Sequence, residues 1–318
     1  MLKIVVGILI GMLVPLKTIV NLRLGKVVNA LSLTALSTFS GGILSLLLIN
    51  LVVEGKIYRN IQFIFNLPWW SYCAGICAAI ALMINSFLFR KFDVILIIGI
   101  TGASQLIAGT VIDSFGLLGT HYQELSLLKL QGVILTLLGV AIIIYKHRVS
   151  SELLLLSFCE GIFLAVSTAI ISYTGNIFNS IGTGSLFSLL ISLLFTIIIV
   201  IKVKSWLKLR KIKGAKLPLW SFSGGIFEGV TTYLKAKIVP IIGNSRLATW
   251  VMIGKILIGL IINKKKKLIL KKSELIGLLL VIIGTSLIEL DAFFNFSLVS
   301  PFFTCIWKRN LLIFMGNC

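Results

Sequence analysis

Long apolar runs separated by short polar ones dominate the chain. The runs lie near 1–22, 31–53, 69–89, 94–113 and 127–145, then near 152–173, 181–201, 219–239, 245–263 and 273–290. A helix rises 1.5 Å per residue, so about 20 apolar residues cross roughly 30 Å of hydrocarbon. Each run has about that length. Strands of a membrane barrel would alternate apolar and polar positions over about ten residues, and these runs are continuous. The pattern predicts an all-α integral membrane protein with ten transmembrane helices. The first run is longer than a signal-peptide core, contains Pro15 and Lys17, and lacks a small-x-small cleavage pattern before the second run. It therefore counts as a helix.

The runs also repeat. "PWWSYCAGI" from Pro68 returns as "PLWSFSGGI" from Pro218, an offset of 150 residues. At that offset Gly11 falls on Gly161, Gly25 on Gly175, Gly75 on Gly225, Gly109 on Gly259, Gln105 on Lys255 and Asp113 on Asn263. After a shortening of five residues, Gly132 falls on Gly277 and Gly139 on Gly284. Residues 1–145 and 152–290 are thus two copies of one five-helix unit, joined by a short linker at 146–151 and followed by a tail at 291–318. Five is odd, so the second copy must enter the membrane from the opposite side. The expected architecture is two inverted, antiparallel repeats about an axis in the membrane plane.

Composition agrees with the runs and excludes a soluble protein. The 318 residues are 58% hydrophobic and only 13% charged, too few charges to cover a water-facing surface. The net charge of +20 would suggest nucleic acid in a soluble chain. Here the basic residues cluster between spans, as in "KVKSWLKLRKIKGAK" (202–216) and "KKKKLILKK" (264–272), so no nucleic-acid partner is expected. Of 30 Lys and Arg, 19 follow helices 1, 3, 5, 7 and 9, while 9 lie at the N-terminus, after the even-numbered helices or in the tail; Lys17 and Lys255 lie within helices. The positive-inside rule then puts the odd-numbered loops in the cytoplasm and both termini outside. Cys73 and Cys77 share a helix face, but no His or further Cys joins them. No metal site or cofactor is predicted. Without a nucleophile–base set or a phosphate loop, the chain does not read as an enzyme.

Several stretches resemble the YdcZ-type (EamA-like) branch of the drug/metabolite transporter superfamily. They are "VNLRLGK" after helix 1, "LPWWSYCAGI" opening helix 3, "GASQLIAGTVIDSFGLLG" through helix 4 and "LKLQGVILTLLGVAI" in helix 5. The resemblance covers about 1–290 and is weaker in the second copy, where "WVMIGKILIGLIINK" has Lys255 in place of Gln105. It implies a five-helix unit that occurs as paired small proteins or as a fused, antiparallel ten-helix chain acting as a membrane carrier. The bilayer and a small-molecule substrate are the implied partners, with a homodimer left open. The implied location is the bacterial cytoplasmic (inner) membrane. The expected activity is secondary transport of a small metabolite or drug-like amphiphile by alternating access, with proton coupling left open. A passive channel and a non-transporting membrane subunit are the alternatives. The tail "SPFFTCIWKRNLLIFMGNC" lies outside the resemblance and is assigned no function.

Polar groups inside the spans mark the candidate site. An ionisable side chain at the bilayer centre costs about 2.5–3.5 kcal/mol on insertion scales, so it needs a reason to be there. Gln105, Glu160, Glu228 and Lys255 fall near mid-depth, and Lys17 lies closer to the cytoplasmic side, below Pro15. Glu228 and Lys255 sit at matching depth on consecutive helices and are expected to pair, beside a substrate path or as a structural lock. Glu160 has no evident mate and suits a coupling carboxyl. Pro15 is a candidate helix break that would expose backbone to a substrate. The first copy has Ile10 and Ala78 where the second has Glu160 and Glu228, so the chemistry is asymmetric.

Overall fold

The computed structural model describes residues 2–28, 30–56, 61–92, 94–147, 149–207, 220, 223–265 and 272–294. Each predicted run is realised as a long α-helix: α1 (Leu2–Val28), α2 (Leu31–Ile49), α3 (Cys73–Lys91), α4 (Val94–Phe115), α5 (Leu127–His147), α6 (Ser151–Ile177), α7 (Ile181–Lys202), α8 (Ser223–Ile242), α9 (Asn244–Lys265) and α10 (Lys272–Phe294). Among the described residues there is no strand. Eight of the helices are long and apolar enough to cross a membrane. The exceptions are α8, which carries Glu228, Lys235 and Lys237 within 20 residues, and α10, whose apolar stretch is Leu275–Leu290. Between the copies, α5 runs to His147 and α6 starts at Ser151. The tail beyond Phe294 lies outside the described residues.

The packing is inside-out relative to a soluble bundle. In α7, Ser185, Ser188, Ser192 and Thr196 are fully buried, while Leu190, Leu194, Ile198 and Ile201 on the other face are 47–61% exposed. Water would reverse that arrangement; lipid favours it, since apolar side chains lose nothing by facing hydrocarbon and small residues let helices approach. Ser192 also donates from Oγ to the carbonyl of Gly75 on α3, at 2.9 Å.

Helix contacts come in matched sets when the two copies are exchanged. α5 packs on α10, α4 on α9 and α2 on α7, each helix against its own counterpart. α4 also packs on α6 as α9 packs on α1, α3 on α6 as α8 on α1, and α2 on α8 as α7 on α3. Backbones touch at the α5–α10 crossing. A Cβ added to Gly132 would lie 2.6 Å from the carbonyl oxygen of Gly284, and one on Gly277 would lie 2.7 Å from that of Gly139. Because 132 meets 284 and 139 meets 277, these two helices run antiparallel.

Two carboxylates of the first copy cap helices of the second. Asp113, near the end of α4, accepts from the backbone N–H of Asn244 (3.0 Å) and of Ser245 (2.7 Å), and from the Ser245 hydroxyl (2.7 Å), at the start of α9. Glu54, following α2, accepts from the Gly182 N–H at 2.9 Å and the Ser180 hydroxyl at 2.5 Å, at the start of α7. Helix N-termini present unpaired N–H groups and positive dipole ends, which a carboxylate satisfies.

Candidate functional site

Helices α1, α3, α6, α7, α8 and α9 surround a cavity of about 60 Å³. On a scale where about 10–15 Å³ holds one water, this is room for a few waters or part of a small solute. Five ionisable side chains line it: Lys17 from α1, Glu160 from α6, Glu228 and Lys235 from α8, and Lys255 from α9. Asn85 of α3 joins them. Glu228 and Lys235 are seven residues apart, about two helical turns, and so share one face of α8 about 10 Å apart along its axis.

The expected Glu228–Lys255 pair is not formed. Glu228 instead accepts from the Lys17 ammonium in a direct ion pair. Both side chains are nearly buried, at 12% and 10% exposure, and the pair joins α1 of the first copy to α8 of the second. Matching depth along two helices says nothing about which way each side chain faces, and α8 turns Glu228 toward α1. Lys255 is 4% exposed and forms no ion pair within 4 Å among the described residues.

Glu160 does have a mate. Asn85 donates from Nδ2 to Glu160 Oε1 at 2.6 Å. Asn85 Oδ1 in turn lies 3.0 Å from the Thr18 hydroxyl, which is also 2.9 Å from the Val14 carbonyl; its single proton serves one acceptor at a time. The second oxygen of Glu160, Oε2, is buried with no hydrogen-bond partner among the described residues. A buried acceptor without a donor costs about 1–3 kcal/mol, more when charged, so a proton, a water or a solute donor would be favoured there.

Two other expectations fare differently. Gln105 is 2% exposed but does not line the cavity; its backbone lies in the α4–α6 contact, where a Cβ on Gly161 would come 2.7 Å from the Gln105 nitrogen. Pro15 sits inside α1 without breaking it, for the helix continues from Leu2 to Val28. The lost hydrogen bond falls at the carbonyl of Gly11, a residue packed closely against Gly254 of α9.

Asn85 and Lys235 escaped the sequence reading. Asn85 is uncharged within an apolar run, and Lys235 lies near the end of α8, where it counts naturally with loop lysines. The repeat carried the signal, because Asn85 falls on Lys235 at the offset of 150. The lining is built from such aligned pairs: Val14 with Leu164, Lys17 with Ser167, Ala78 with Glu228, Leu82 with Thr232, and Asn85 with Lys235.

Comparison with known proteins agrees with the two-copy arrangement. The chain matches the family described as "Putative inner membrane exporter, YdcZ" in two consecutive segments, residues 2–142 and 153–287. A solved crystal structure described only as "Crystal structure of protein" is similar at a TM-score of 0.61 and 15% identity, covering 91% of this chain and 96% of that one; the likeness is one of fold. No curated protein matches. With both copies matched in turn, the chain is a multi-pass membrane protein that belongs to the YdcZ family of drug/metabolite-type transporters, in its two-copy form.

Proposed function

We propose that the protein is a secondary carrier that exports a small organic metabolite across the bacterial cytoplasmic membrane by alternating access. All ten helices span, the two copies lie inverted about an axis in the membrane plane, and both termini face outside. The matched helix contacts and the antiparallel α5–α10 crossing support the inverted arrangement. The excess of Lys and Arg after odd-numbered helices supports the orientation. The observation that carries the reading is the cavity itself. Ionisable side chains from four helices of both copies converge on it inside the membrane-spanning bundle, where charge without a role is costly. Inverted-repeat carriers bind substrate near the midplane between their repeats. Glu160 and Glu228 are the groups suited to exchange a proton for substrate, and Lys17, Lys235 and Lys255 to bind it.

The test is flux. Metabolite profiles of cells with and without the protein identify compounds retained in its absence, and the purified protein in proteoliposomes is then assayed for their movement. Saturable flux that Glu160→Gln or Glu228→Gln abolishes in folded protein is the expected result. Linear, unsaturable flux would establish a channel. No compound moved, with cells indifferent to loss of the mid-depth charges, would leave a non-transporting subunit.

A further inference from the structure

The charges around the cavity do not cancel, and their placement names a substrate class. Lys17 is neutralised by Glu228. Of the remaining three lining groups, Glu160 offers one negative charge and Lys235 and Lys255 two positive ones. With every group ionised the cavity carries +1, from three lysines against two glutamates; if Glu160 binds a proton it carries +2. With the three lysines in their ammonium form, either state of Glu160 leaves it positive. An arriving anion would also hold the lysines in their ammonium form, since an opposite charge nearby favours the charged state.

The surplus is at one end. Lys235 lies two helical turns beyond Glu228 toward the C-terminal end of α8, and Lys255 on α9 is without an ion-pair partner among the described residues. The carboxylates lie toward the other end: Glu228 pairs with Lys17 and Glu160 shares Asn85 with Thr18, whereas Lys255 adjoins Gly254, which packs on Gly11 nearly two turns away along α1. The apolar wall is supplied by Val14, Leu82, Leu164, Ile171 and Leu189. We infer that the cavity is built for a small organic monoanion, its acidic group held between Lys235 and Lys255 and its apolar body against that wall. This rests on the carrier reading for its setting, but binding can be tested without transport.

The full-length protein in detergent is unfolded thermally at pH 7 with matched probes: benzenesulfonate, benzenesulfonamide and benzyltrimethylammonium, and hexanoate, hexanamide and hexylammonium. At least one anion should raise the melting temperature by several degrees more than its neutral and cationic partners. Lys235→Gln and Lys255→Gln should each weaken that anion's apparent Kd at least tenfold, and Lys235→Arg should restore most of it. Lys237→Gln, on the exposed side of α8, should change nothing. If a Gln variant does not fold, the Arg variant and the wild-type ranking of the probes still decide. A larger shift with an ammonium probe, lost in Glu160→Gln, overturns the assignment, and so does the absence of any anion outperforming its amide. The carrier reading is separated by loading proteoliposomes with the anion that binds. If it binds at the lysines but moves no faster than in empty vesicles, the anion site stands and the carrier reading fails.

Discussion

Replacing Glu228 with Gln removes a carboxylate of nearly the same shape and leaves the Lys17 ammonium buried without its counter-charge. The side chains of the pair are only about a tenth exposed, at 10% and 12%, so water screens the orphaned charge poorly. Breaking a buried pair on one side costs about 3–5 kcal/mol. The adjoining cavity admits a few waters, which points to the lower end, about 3 kcal/mol, or roughly a hundredfold in the folded-to-unfolded ratio. Lys17→Met leaves the Glu228 carboxylate without its counter-charge in the same way and is expected to cost a similar amount, about 3 kcal/mol. The double variant Lys17→Met with Glu228→Gln removes both partners and should return to within about 1 kcal/mol of wild type, since apolar replacements for buried pairs are often neutral. Reversible unfolding in mixed micelles, titrated with SDS and followed by helical circular dichroism, measures all three. The double-mutant cycle should give a coupling of at least about 2 kcal/mol. Costs that simply add in the double variant would refute the pair, and with it the contact that ties α1 to α8.

Three further outcomes are expected. In a background without other cysteines, spin labels at Leu127→Cys with Leu290→Cys and at Tyr145→Cys with Leu275→Cys, all exposed positions, should give clearly shorter distances by double electron–electron resonance than Leu127→Cys with Leu275→Cys; the reverse would overturn the antiparallel α5–α10 crossing. Asp113→Asn weakens a charge-assisted cap and should cost about 0.5–2 kcal/mol, with faster hydrogen exchange confined to the amides of Asn244 and Ser245. For orientation, an impermeant maleimide applied to intact cells should label His121→Cys and miss Lys204→Cys, both exposed positions; labelling of Lys204→Cys alone would invert the proposed topology.

Helix number, length and internal repetition were legible in the sequence because all three are properties of position along the chain. Apolar runs measure depth, and "PWWSYCAGI" and "PLWSFSGGI" put the copies in register. The site was legible only in part. Lys17, Glu160, Glu228 and Lys255 do meet at one cavity, but their partners depend on azimuth, the direction each side chain takes around its helix. Depth alone matched Glu228 with Lys255 and admitted Gln105, which is buried beside the α4–α6 backbone contact and does not line the cavity. Asn85 gave no sign through charge. It becomes visible only by its alignment with Lys235, a comparison between copies rather than within a run.

That alignment has a consequence for how such a cavity could arise. In a dimer of identical five-helix chains, every side chain at the axis appears twice, so a single lysine brings a second and a lone carboxyl cannot exist. The cavity here has Glu228 opposite Ala78, Lys235 opposite Asn85 and Lys17 opposite Ser167. Each is a charge in one copy whose counterpart in the other is neutral. Joining two copies in one polypeptide frees the facing positions to mutate independently, so a pocket with an odd net charge and two distinct poles becomes accessible to selection. A self-paired ancestor could have kept the helix crossings of this bundle, but not its polarity.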